Sequence, residues 1–315
     1  MAESIGIQGQ IWRNNRRSTL LLLAFPSLIL GTVFGVIYFM YLSEVYPEPV
    51  NMDRVVDDFV RVIPFVLGGV GIWFLIAYLS HSSMIKAAVK SHTLDRKENP
   101  RVYNLVENLC MSKGMPMPKV NIIESDALNA FASGLDKRSY TVTLTRGIIE
   151  QLTDEELEGV IAHELMHIRN KDVRLLVISI IFVGIFAFVV QVAFRSLLYG
   201  GGRRDKKDDN RLMLIILLVS LVAYALSIMF RFALSRKREY LADAGAAEMT
   251  KNPQALASAL RKVSGNHKVS HVKSDDLEQM FIQNEPDKVL GFISLGGMFS
   301  THPPINNRIQ LLEQF

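Results

Sequence analysis

The chain has 315 residues, 49% of them hydrophobic and 21% charged, with 35 Lys and Arg against 31 Asp and Glu and a formal charge of +4. That length carries one large domain or two ordinary ones and rules out a miniature scaffold held by covalent staples. A single cysteine, Cys110, excludes a disulfide framework and a cysteine-rich zinc module, and the small positive excess gives no case for nucleic acid.

Four stretches hold no Asp, Glu, Lys or Arg: Ser18 to Ser43, Val62 to Ser80, Leu175 to Phe194 and Leu212 to Phe230. Each is long enough to cross about 30 Å of hydrocarbon as a helix. One such run can be a buried core helix, but four are hard to hide inside a soluble protein of this size. The first is too long for a signal-peptide core and lacks a small-residue exit, so it predicts an uncleaved anchor. Arg13, Arg16 and Arg17 before it place the N-terminus in the cytoplasm, and the acid-rich connection from Glu44 to Arg61 suits the outside. Lys86, Lys90, Arg96 and Lys97 return the chain to the cytoplasmic side. The short connection between the third and fourth stretches carries Arg203, Arg204, Lys206, Lys207 and Arg211, against that rule. These two stretches either span fully or form a shallow hairpin; both choices bring Arg236, Lys237 and Arg238 to the cytoplasmic side. The resulting divisions are an anchor over 1–80, a first cytoplasmic part over 81–172, a membrane hairpin over 173–234 and a second cytoplasmic part over 235–315.

In the first polar part, Pro100 to Met111 predicts a helix closed by Gly114 and Pro116. Lys119 to Glu124, Asn129 to Ser133 and Tyr140 to Thr145 predict short strands. Asp154, Glu155 and Glu156 then suit the first turn of a helix that runs through His167. In the second part, helix continues from Arg231 to Met249 and restarts after Asn252-Pro253, over Gln254 to Val263. Gly265 to Asp287 reads as loop, and Ile305 to Phe315 as a last helix. The fold expected is mainly α with a small β-sheet.

His163-Glu164-Leu165-Met166-His167 is the segment that carries chemistry. Residues four apart share a helix face, so both imidazoles can hold one metal ion. Glu164 sits about 100° around, beside the metal rather than on it, where it can take a proton from an attacking water. A catalytic zinc site commonly uses a third protein ligand. The candidates are Glu239, Asp243 and His302; the other histidines, His81, His92, His267 and His271, read as ordinary surface residues. If the third and fourth apolar stretches pair antiparallel, the helices bearing His167 and Glu239 emerge side by side, which favours Glu239. Asp243, one turn further on, then suits a hydrogen bond to the outer nitrogen of a ligand imidazole.

With Ser235-Arg236-x-x-Glu239-Tyr240-x-Ala242-Asp243 following the first motif, the chain resembles the integral-membrane zinc proteases of the HtpX type. Asn129 to Gly134 resembles the strand segment of that family, and Ser300-Thr301-His302-Pro303-Pro304 with Arg308-Ile309 its C-terminal signature. The resemblance implies a membrane-anchored, gluzincin-like protease with one Zn2+ on His163, His167 and Glu239 and Glu164 as general base. It also implies that His302 and Arg308 lie near the substrate carbonyl or the developing oxyanion. Asn129, Ala130, Phe131 and Ala132, as an edge strand, would bind an extended peptide by strand addition. The expected activity is a zinc metalloendopeptidase of the bacterial inner (plasma) membrane, facing the cytoplasm. Its partners would be the bilayer and misfolded or damaged membrane proteins, with no nucleic acid. A prenyl-protein endopeptidase and a membrane scaffold with a structural metal are the competing expectations.

Overall fold

The structure, a computed structural model, describes residues 7–43, 50–199, 207–232, 236–265 and 303–314. Among them the elements run α1 (Ile7–Leu42), α2 (Met52–Ala88), β1 (Ser91–Thr93), α3 (Pro100–Ser112), β2 (Lys119–Ile123), β3 (Ala130–Ser133) and β4 (Thr141–Thr145). Then follow α4 (Arg146–Gln151), α5 (Asp154–Arg169), α6 (Asp172–Tyr199), α7 (Lys207–Phe232), α8 (Arg236–Thr250), α9 (Pro253–Val263) and α10 (Ile305–Leu312). The basic stretch from Arg203 to Lys206, the predicted loop beyond Gly265 and His302 lie outside the described residues. The chain divides into two compact units.

One unit comprises Arg17–Leu79 and Ile178–Arg231 and holds the bulk of α1, α2, α6 and α7. All four helices are long and apolar enough to cross a membrane. They reach beyond the charge-free stretches. Asn51 starts α2 by accepting the Asp53 N–H on its side chain, so the acidic segment from Met52 to Arg61, expected as connection, is helical. Within the unit, Phe182 stacks on Phe25 and on Phe74, and Tyr41 donates a hydrogen bond to Asp58 at 2.8 Å. Phe65, Ile72, Ile76 and Leu79 along α2 are exposed, as a helix in lipid requires.

The other unit comprises Met1–Arg16, Ser80–Val177 and Phe232–Phe315. Its four-stranded sheet has the order β1-β2-β4-β3. β2 and β4 run parallel, while β1 and β3 are antiparallel edge strands. β4 is buried along its whole length, as a central strand should be. β1 and α4 were not expected; three and six residues are too few for a periodic pattern to show. α4 begins under a side-chain cap from Thr145, and Gly147 lies so close to the main chain of Asp126 that a Cβ would stand 2.2 Å from its carbonyl oxygen.

α5 is the hub of this unit: α3, α8, α9, β3 and β4 all pack against it. Its start is fixed by a capping box, in which Thr153 Oγ1 accepts the Glu156 N–H and Glu156 accepts the Thr153 N–H. Glu156 also accepts from Ser258 Oγ at 2.7 Å and from Lys262 Nζ at 2.6 Å, tying α9 to the head of α5. From Val160 to Met166 every residue of α5 is buried, polar ones included. A helix with no solvent face can keep His163 and Glu164 only if their polar atoms are engaged inside the protein.

Burial raises the Glu156 carboxyl, but Lys262, Ser258 and the Thr153 N–H outweigh it and hold the carboxyl below its usual range. A lowered folded value gives stability that is present above the ordinary Glu value, about pH 4.3, and is lost as pH falls through the lowered one. Wild type should therefore exceed Glu156→Gln in stability by about 1–3 kcal/mol at pH 7, with the gap closing below about pH 4. Thermal unfolding of the detergent-solubilised chain at both pH values checks this; a gap that widens in acid would contradict it.

Candidate metal centre

Two helices bring the candidate residues together. His163 and His167 lie one turn apart on α5, with rings at 90° and centroids 4.7 Å apart. Glu239 is in the first turn of α8, which crosses α5 closely because Gly245 presents no side chain to Met166. The result is a tight triangle. His163 Nε2 is 3.1 Å from His167 Nε2 and 3.6 Å from Glu239 Oε2, and His167 Nε2 is 3.5 Å from Glu239 Oε1.

The outer nitrogens set the chemistry of the inner ones. His163 Nδ1 lies 2.9 Å from Asp243 Oδ1, and His167 Nδ1 lies 3.1 Å from Asp172 Oδ2. Carboxylates accept, so each imidazole donates its Nδ1–H outward and turns the Nε2 lone pair inward. Two nitrogen lone pairs and a carboxylate then converge on one point, which only a cation satisfies. Charge counting agrees, since Glu164, Glu239, Asp243 and Asp172 are all buried here with Arg308. The three ligand atoms lie within 4.8 Å of one another, the one such cluster among the described residues. Burial disfavours a charged His163, yet Asp243 and Glu239 outweigh it and push the ring up to about 9. The centre therefore draws positive charge, and its donor set fits a divalent metal.

Glu164 lies beside this triangle, only 2% exposed. Its carboxyl is raised, chiefly by burial and further by Glu239, against the opposing pull of His163 and His167. It accepts a hydrogen bond from the Ala132 N–H of β3. The Asn129 carbonyl accepts the Thr145 N–H, so in the antiparallel ladder Ala130 and Ala132 turn their main-chain groups to the open edge. Asn129 caps that edge by accepting the Ala130 N–H on its side chain. All four β3 residues are buried, Phe131 among them.

Arg308 arrives from α10 and is 1% exposed. Its Nε and Nη2 each donate to Asp243 at 2.8 Å, a two-pronged fork. Nη2 lies 3.4 Å from the His163 ring, and Nη1 lies 3.6 Å from Glu239 Oε2. Burial alone would raise Asp243, but Arg308 and His163 pull it down to about 2. Arg308 thus lies alongside the His163 ring, engaged with two of the site's carboxylates. Asp172 is the participant that sequence reading missed; it stands five residues past His167, where an uninterrupted helix would turn it away from that ring. His81 is buried rather than at the surface, its ring 3.1 Å from Ser82 Oγ, and His92 bridges to Glu98.

A sequence profile of peptidase family M48 matches residues 96–315. A "Protease HtpX homolog" from Bacteroides fragilis is 52% identical over 319 aligned residues, covering 99% of both chains. Another protein of that name, from Streptococcus uberis, is 35% identical and covers 96% of this chain and 98% of its own. The crystal structure of S. mikatae Ste24p aligns at 21% identity with a TM-score of 0.48, covering 96% of this chain and 66% of that one.

Removing Arg308 would leave Asp243 charged and buried without its cation. Arg308→Ala should cost about 3–5 kcal/mol of unfolding free energy. Arg308→Lys should recover only part of this, because an ammonium cannot form the fork. Denaturant unfolding in detergent measures both, and a loss below about 1 kcal/mol for the alanine variant would contradict the arrangement.

Proposed function

Because this chain belongs to peptidase family M48, among its HtpX-type membrane metalloproteases, we propose that it is a zinc-dependent endopeptidase of the bacterial inner membrane. On this reading its site faces the cytoplasm and cleaves misfolded or damaged membrane proteins. The observation that carries the proposal is the convergence of two imidazole lone pairs and one carboxylate next to a buried, proton-ready Glu164.

His163 Nε2, His167 Nε2 and Glu239 would hold the ion, and two imidazoles with one carboxylate favour zinc among the divalent metals. Zinc, when bound, supplies Lewis acidity that polarises the scissile carbonyl and acidifies a water molecule. Glu164 accepts the proton of the attacking water and delivers it to the amine that leaves as the C–N bond breaks. A carboxyl raised by burial suits that exchange, since it is a stronger base than an ordinary carboxylate and takes the water proton more readily. The Ala132 N–H keeps the Glu164 carboxylate pointed between β3 and the metal ligands. Asp243, with Arg308 behind it, keeps His163 in the tautomer that presents Nε2.

Substrate would lie along β3. Ala130 and Ala132 turn their main chain to the outer edge of β3, where their N–H groups are engaged by Asn129 and Glu164, so strand addition by an extended peptide would use the carbonyls or displace those bonds. Because β3 is buried, such a peptide has to displace the groups now packed there. Recognition through main chain tolerates many sequences and requires an extended, unfolded segment. That requirement matches damaged proteins better than folded ones. Arg13, Arg16 and Arg17 before the first apolar helix and Lys86, Lys90 and Arg96 after the second support the cytoplasmic orientation.

Glu164→Gln should retain one zinc per chain while cleavage of a loosely folded model membrane protein drops about 10²- to 10⁴-fold. Undiminished proteolysis would remove Glu164 from the mechanism. Glu239→Ala should lower zinc content measured by atomic emission; full retention would pass the third-ligand role to another residue.

A further inference from the structure

α5 and α6 are nearly one helix, and their break has a chemical consequence. α5 ends at Arg169, Asn170 caps it, and Lys171 takes φ +60 before α6 starts at Asp172. Lys171 is one of three non-glycine residues with positive φ among those described, a conformation that a Cβ disfavours. In an uninterrupted helix a residue five positions on lies about 140° around the axis, so Asp172 would point away from His167. With the left-handed residue between them, Asp172 Oδ2 instead lies 3.1 Å from His167 Nδ1, and its side chain is buried. His163 has its outer nitrogen held by Asp243 of α8, whereas His167 is held by the first residue of the helix that continues into the third apolar segment.

We propose that Asp172 is a positioning residue for His167, brought into place by the left-handed turn at Lys171, so that α6 begins on the hydrogen bond that aims a metal ligand. Asp172 accepts the Nδ1–H and so keeps the proton off Nε2, the atom that faces His163 and Glu239. Without it His167 is free to rotate or to take the other tautomer, and the centre loses one of its three aimed lone pairs. This rests on the reading of His163, His167 and Glu239 as zinc ligands.

The test uses the full chain in detergent and needs no substrate. Zinc affinity is measured by competition with a chromophoric chelator, and ligand geometry by the visible spectrum of the Co2+-substituted protein. Asp172→Asn keeps an oxygen that can accept the same N–H, and its affinity should stay within a few-fold of wild type. Asp172→Ser is too short to reach, and its affinity should fall about 10- to 100-fold with an altered cobalt spectrum. Lys171→Gly, which suits positive φ, should bind like wild type, whereas Lys171→Val, β-branched and ill-suited to it, should fall with Asp172→Ser. Wild-type affinity and spectrum in Asp172→Ser would overturn the inference. So would an equal fall in the asparagine and serine variants, which would assign the effect to negative charge at the helix start. A wild-type chain that binds no zinc would overturn the metal reading itself, and this inference with it.

Discussion

Three lone-pair groups that point at one another inside a protein repel unless a cation lies between them. His163, His167 and Glu239 are held in that arrangement by neighbours that prevent its relaxation, and much of the site-bearing unit can be understood as the means of holding it. Asp243 and Asp172 take the outer nitrogens, so neither ring can turn its donor inward. Arg308 balances Asp243, whose charge would otherwise be costly at 4% exposure. A cluster with more carboxylates than cations draws positive charge, and the divalent ion proposed for it would supply that charge.

The packing follows from this demand. A helix that must show His163 and Glu164 to the interior has no solvent face to spare, so α5 is surrounded by the sheet, α3, α8 and α9. Its order comes from the ends: the capping box at Thr153 and Glu156, and the left-handed turn at Lys171. α8 approaches closely enough for Glu239 because a glycine faces Met166. Glu164 is at once beside the candidate metal ligands and within hydrogen-bond reach of β3, so the proposed general base and the strand edge proposed to bind substrate meet at one carboxylate.

Much of this was legible in the residues because it rests on local periodicity. The charge-free stretches marked the apolar helices, and four-residue spacing put His163 and His167 on one face. The strands over Lys119–Ile123 and Thr141–Thr145 showed in their β-branched runs. Asn129 to Ser133 showed as a strand, and pairing makes β3 an edge. The ends of α2 were missed because charged residues were read as connection, although nothing in Met52 to Arg61 breaks a helix. β1 and α4 were too short to declare themselves. The partnership of Asp172 with His167 depends on a backbone reversal at a lysine, which composition does not advertise. The fork of Arg308 on Asp243 joins residues 65 apart, and only the tertiary fold shows it.

The whole arrangement stands on the proposed binding of one zinc ion by two imidazole nitrogens and a carboxylate. X-ray absorption at the zinc edge of the purified full-length chain tests it most directly. One zinc per chain is expected, in a four-coordinate shell of nitrogen and oxygen at about 2.0–2.2 Å, with the multiple-scattering pattern of two imidazoles and no sulfur. A shell containing sulfur at about 2.3 Å, a single imidazole, or a chain purified without zinc that takes up none when it is supplied would contradict it.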